Sequence, residues 1–146
     1  MPSVKYFNFG KGLKKIYSDA FTRASSLLEL NIPSSVSSIY VYSNGIKDCT
    51  ALTSITVDSN NENYDSRDNC NAVIETATNK LILACKNTVI PNSVTAINTG
   101  ALQNVVCNIN TFTIPDSISS IAKNTFESSY NLTSINLGNS LTSIEQ

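Results

Sequence analysis

The sequence predicts an α/β-type repeat solenoid, with one short parallel strand per unit of about 23 residues, few short helical turns and one β-hairpin insert. Three observations predict it. An apolar pattern returns at a nearly fixed spacing, the unit it defines is too short to bury its own apolar side, and one interval is about ten residues too long. All 146 residues read as a single segment of about six units, with the insert at about 63–87 and the last unit truncated.

The repeat is carried by two linked phrases. The first is apolar, three residues, apolar, two residues, apolar: Phe9–Leu13–Ile16, Ile32–Val36–Ile39, Ile90–Val94–Ile97, Ile114–Ile118–Ile121 and Leu137–Leu141–Ile144. With Val57 as a further strand position, the spacings run 23, 25, 33, 24 and 23 residues. The second phrase ends on the same first members and closes on a one-residue skip: Val4–Phe7–Phe9, Leu27–Leu30–Ile32, Leu52–Ile55–Val57, Ile109–Phe112–Ile114 and Leu132–Ile135–Leu137. That skip is the period of a strand with alternate side chains inward. Pro33, Pro91 and Pro115 follow, ending the strand where no ladder donor is needed. Phe21, Ile46, Leu102 and Phe126 then belong to a helical turn or irregular arc that closes the coil. An ordinary sandwich with turns every 8–12 residues is the rival architecture. Four copies matching at all five apolar positions argue against it.

The long interval reads as a hairpin with Thr76–Asn79 as its loop. Glu75 then faces Lys80, an attractive cross-strand pair, and one face sets Cys70, Ala72 and Ile74 opposite Cys85, Leu83 and Leu81. Cys70 and Cys85 are direct partners in this register, within reach of a disulfide or equally packed as two thiols.

Composition excludes several functions. Ser, Asn and Thr make up 54 of the 146 residues, while charged residues are 14% and the net charge is −1. Without a basic footprint, nucleic acid is not a partner. No apolar run approaches the ~18 residues of a membrane span, so membrane insertion is not expected. There is no His, so His-based triads and His-liganded metals are excluded. No nucleophile–base or paired-carboxylate spacing is present either, and the chain reads as no enzyme, with no cofactor and no stoichiometric metal. The acidic group Asp58, Glu62, Asp65 and Asp68 lacks the order of a calcium loop, contains Arg67 and reads as a solvated loop. Residues 1–13 show no apolar stretch or cleavage site of a signal peptide. The four cysteines show no zinc spacing and leave the compartment open.

Several stretches resemble a known family: LTSITV (52–57), IPNSVTAI (90–97), IPDSISSI (114–121), LTSINLGNSLTSI (132–144) and the insert, 63–94. They are similar to the BspA-like leucine-rich repeats. The resemblance implies a leucine-rich-repeat-like curved solenoid, a cell-surface or secreted location, and a role in adhesion and host-protein binding. The family's Ala-Phe pair is kept as Ala20-Phe21 but becomes Gly45-Ile46, Ala101-Leu102 and Thr125-Phe126 here, and its Gly-Cys survives only as Asp48-Cys49.

The positions between the inward strand residues are the candidate ligand-contact face: Asn8, Glu29, Asn31, Ser54, Thr56, Thr111, Thr113, Ser134 and Asn136. In a stack they form two ladders of small polar side chains, a broad and weakly charged surface suited to a protein or glycan. Tyr17, Tyr40 and Tyr42 are further contact aromatics or half-buried arc residues. The expected function is a non-enzymatic binding and adhesion module strengthened by repetition. The alternatives are a structural stalk and a substrate-binding appendage of a larger secreted protein. Apolar residues of the first and last units, Val4 to Phe9 and Ile135 to Ile144, also offer self-association through exposed solenoid ends.

Overall fold

The computed structural model describes residues 3–17, 19–41, 48–103, 109–127, 129 and 131–145. Among them the strands are β1 (Lys15–Tyr17), β2 (Glu29–Ile32), β3 (Ser38–Tyr40), β4 (Ser54–Val57), β5 (Tyr64–Asp65), β6 (Ala72–Glu75), β7 (Lys80–Ala84), β8 (Ala96–Ile97), β9 (Thr111–Thr113), β10 (Ser120–Ile121), β11 (Ser134–Asn136) and β12 (Ser143–Ile144). The second phrase forms one set of parallel pairs, in which Leu30 of β2 faces Ile55 of β4 and Phe112 of β9 faces Ile135 of β11. The last member of the first phrase forms another, Ile16 with Ile39 and Ile121 with Ile144. The described residues therefore form two sets of parallel strand pairs, where the sequence suggested one ladder.

A repeated turn explains the second ladder. The N–H of the middle apolar residue donates to the carbonyl three positions earlier in five coils: Leu13 to Gly10 (3.3 Å), Val36 to Pro33 (3.1 Å), Val94 to Pro91 (3.0 Å), Ile118 to Pro115 (3.1 Å) and Leu141 to Gly138 (3.3 Å). Proline serves only as an acceptor here, so its missing N–H costs nothing. The turn bends the chain onto a new face, where an extended backbone again needs partners and finds them one repeat away. The coils approach closely at this corner. A Cβ on Gly138 would lie 2.5 Å from the Pro115 carbonyl oxygen.

The α/β character expected from the sequence is absent among the described residues: the one helical segment is a three-residue 3-10 turn, Arg67–Asn69, and it lies in the insert. The first arc is a chain of turns, with Ala24 N–H donating to Phe21 and Leu27 N–H to Ala24, both at 3.0 Å. Arg23 (φ 61°), Asp48 (φ 62°) and Asn124 (φ 59°) adopt left-handed backbone in the arcs, and such a residue ends a right-handed turn before it becomes a helix. Tyr42, Gly45, Ile46 and Cys107 lie outside the described residues.

The insert differs most from expectation. Glu75 pairs with Lys80 and Ile74 with Leu81, but Val73 then faces Leu83 and Ala72 faces Ala84. Ile82 is thus an extra residue in β7, a bulge that moves every later side chain to the opposite face. Cys85 joins the apolar cluster around Leu30, Ile55 and Val73, whereas Cys70 joins the one around Ala72, Ile74 and Leu81. Both thiols are free and buried, so the register that made them direct partners, and the disulfide it allowed, are corrected. Alternate residues of β6 serve different clusters, so the hairpin is a layer inside the stack rather than a flap with one wet face. β7 passes the ladder on by pairing in parallel with β8.

Three polar side chains lock this layer to the preceding coils. Asn61 donates through Nδ2 to the carbonyls of Pro33 (2.9 Å) and Val36 (3.0 Å), and its Oδ1 accepts the N–H groups of Asn63 and Tyr64, both at 2.9 Å. The hydroxyl of buried Tyr64 accepts Ile39 N–H at 2.9 Å. Ser66 Oγ accepts Val57 N–H at 3.1 Å. The edges of β3 and β4 that meet the insert are thereby capped, as buried sheet edges must be.

Candidate ligand-binding face

The candidate contact residues belong to the first ladder except Asn8, which lies outside the strands on the coil before β2, and apart from half-buried Ser54 all are exposed. Pleating turns Leu30, Ile55 and Phe112 inward and leaves their neighbours outward. Parallel register then aligns Glu29 with Ser54, Asn31 with Thr56, Thr111 with Ser134 and Thr113 with Asn136. Tyr6 makes an isolated bridge to Glu29 and extends the row by one coil. Thr56 Oγ1 donates to Asn31 Oδ1 at 2.5 Å and Asn136 Nδ2 to Thr113 Oγ1 at 3.5 Å, so the outward side chains brace one another.

The row is not continuous. It divides into one stretch on β2 and β4 and another on β9 and β11, with no ladder joining them among the described residues. Between them stands Val89, 73% exposed, the one aliphatic side chain in an otherwise polar row. The break opens two adjoining grooves of about 350 and 560 Å3 that share Val89, Ile90, Thr113 and Pro115. A third groove of about 300 Å3 lies beside Asn8, Asn31 and Thr56. Sequence periodicity placed the outward residues but missed the break, because the insert that causes it acts through packing.

The second ladder carries Tyr17 and Tyr40 as direct partners, their rings stacked with centroids 5.0 Å apart. Leu137 and Ile144 are exposed on the last coil described.

The ionisable groups are disposed for structure. Burial pushes the Cys49 and Cys70 thiols up to about 11 and raises Cys85 as well, so none is a ready nucleophile. In the acidic group, Arg67 Nη2 lies 2.6 Å from Asp65 Oδ2 and its Nε donates to Oδ1 at 2.8 Å. Burial pushes the Asp65 carboxyl up, but the side-chain hydrogen bond, backbone N–H and charge of Arg67 outweigh it and hold it below its ordinary value. Asp58 is occupied by Asn60, whose N–H and Nδ2 both donate to its Oδ1. Among the described residues no group of three or more His, Cys, Asp or Glu is disposed to hold a cation.

The family model described as a BspA type leucine-rich repeat region matches in six copies, over residues 1–83 and 71–146. The chain belongs to this family. Among solved structures it is similar to the pneumococcal vaccine antigen PcpA, with a TM-score of 0.68 and 22% identity over 89% of this chain and 32% of that one. It is also similar to a leucine-rich repeat protein from Eubacterium ventriosum, with a TM-score of 0.58 and 21% identity over 94% of this chain and 31% of the other. Both likenesses are of fold, and this BspA-type chain spans about a third of the length of either protein. No curated protein matches it significantly.

Proposed function

We propose that this BspA-type chain is a non-enzymatic binding and adhesion module of a cell-surface or secreted protein, contacting a protein or glycan through the outward row of its first ladder. The observation that carries the reading is the row itself: small polar side chains held in register by parallel strands and hydrogen-bonded to one another, with grooves beside it. A face that is already rigid loses little side-chain freedom on binding, and repeated weak contacts add through avidity. The surface or secreted location is supported by the family. Among the described residues no helix is long and apolar enough to cross a membrane. The absence of catalysis is supported by the raised thiol pKa values, the engaged Asp65 and the lack of histidine.

The test is binding of the 146-residue chain to a printed glycan array and to a panel of extracellular-matrix proteins. Asn31→Arg, Thr56→Arg and Ser134→Arg place bulky charges on the row, and each should weaken binding at least tenfold while leaving the melting temperature unchanged. Absence of saturable binding to any probe would leave the chain a structural stalk and overturn the proposal.

A further inference from the structure

Inside the stack, β9 presents an open strand edge. Asn110 O accepts the N–H groups of Thr133 and Ser134, and Ile114 N–H donates to Asn136 O. Partners alternate along a parallel strand, so Asn110, Phe112 and Ile114 spend their backbone groups on β11. Thr111 and Thr113 then turn theirs toward the break, where nothing among the described residues pairs with them. The edges of β3 and β4 are capped by Tyr64 and Ser66, and no described residue caps this one. The grooves run along it, and at about 350 and 560 Å3 each lies within the range of ligand sites. Val89 supplies an exposed apolar wall and Lys86, exposed and without an ion pair among the described residues, a positive charge at the end near Thr111.

We propose that this break is a docking groove for an extended peptide of a partner protein, which adds as a strand to the Thr111–Thr113 edge. The inference deepens the binding reading above and rests on it, choosing a protein segment over a glycan for this groove. Backbone groups of the peptide complete the unpaired N–H and C=O groups of Thr111 and Thr113, the physics of strand addition. Alternate peptide side chains, small or aliphatic, rest against Val89, Ile90 and Pro115. An acidic side chain meets Lys86 at its end of the grooves, whereas Asp116, at the other end, already accepts Asn139 N–H. A sugar offers no regular series of donors and acceptors to match a strand edge, so it is the poorer occupant.

The experiment selects a displayed library of random decapeptides on the full chain and re-measures the selected peptides on variants. Binders are expected to alternate aliphatic residues and to carry an acidic residue. They should weaken at least tenfold on Val89→Arg, which fills the groove from an exposed position and spares the core, and several-fold on Lys86→Glu. Lys11→Glu, an exposed position that lines none of the grooves, should leave them unchanged. Hydrogen exchange of the Thr111 and Thr113 amides should slow when the peptide is bound. An empty selection, or binders that tolerate Val89→Arg and leave those two amides exchanging at the free rate, would overturn the proposal. Glycan or matrix-protein binding that survives Val89→Arg but is lost in Asn31→Arg would sink the groove while sparing the broader reading.

Discussion

Replacing Asn61 by alanine tests whether the insert is locked into the solenoid by polar side chains. Asn61 is 9% exposed and uses both ends of its amide, donating to two loop carbonyls of the second coil and accepting two N–H groups from the start of the insert. A net hydrogen bond contributes roughly 1 kcal/mol, and a buried group left unpaired costs about 1–3 kcal/mol. Water reaches some of the exposed partners, so the loss is set near the plain sum of four bonds, about 3–4 kcal/mol. Against a typical domain stability of about 5–15 kcal/mol, that is a large fraction. The assay is urea unfolding at neutral pH, with the midpoint converted through the common slope. Asn60→Ala is the control: its side chain is exposed and reaches only Asp58, and about 0.5 kcal/mol or less is expected for such a surface change. A loss below about 1 kcal/mol for Asn61→Ala would refute the reasoning, because four bonds of ordinary strength could not then be contributing.

Two further outcomes follow from the ionisable groups. Asp65 titrates below its ordinary value in the folded chain, so its stabilisation is present above the unfolded carboxylate range and lost as pH falls through the folded value. Urea midpoints of the native chain should therefore drop more between pH 5 and pH 2 than those of Asp65→Asn, and equal slopes would reject the Arg67 pairing. Cys49, Cys70 and Cys85 should resist alkylation at pH 8 and react readily in urea, read peptide by peptide in a mass spectrometer. Burial removes access, and a raised pKa removes thiolate. Rapid native labelling of any of the three would contradict their burial.

The sequence by itself determined the stacking. A period near 23, with Leu30, Ile55, Phe112 and Ile135 at matched positions, cannot bury its apolar side except against its neighbours, and that requirement also places Asn31, Thr56, Thr113 and Asn136 outward. Side-chain period is local information, and the chain spells it out.

The second ladder was half legible: Ile16, Ile39, Ile121 and Ile144 recur visibly, but only the shared turn after Gly10 or Pro33 shows that each begins a strand. The insert was legible as a hairpin only near its loop, where Glu75 meets Lys80. Beyond that, tertiary structure decided. Alternating apolar residues on both faces satisfy a hairpin in either register, and what selected the bulge at Ile82 is that two cores, one on each side, had to be filled. The same layer separated Cys70 from Cys85, committed Asn61 and Tyr64 to distant carbonyl and amide groups, and left Thr111 and Thr113 beside a gap. None of these is a property of neighbouring residues. Each follows from backbone groups that must find partners wherever the packed chain happens to bring them.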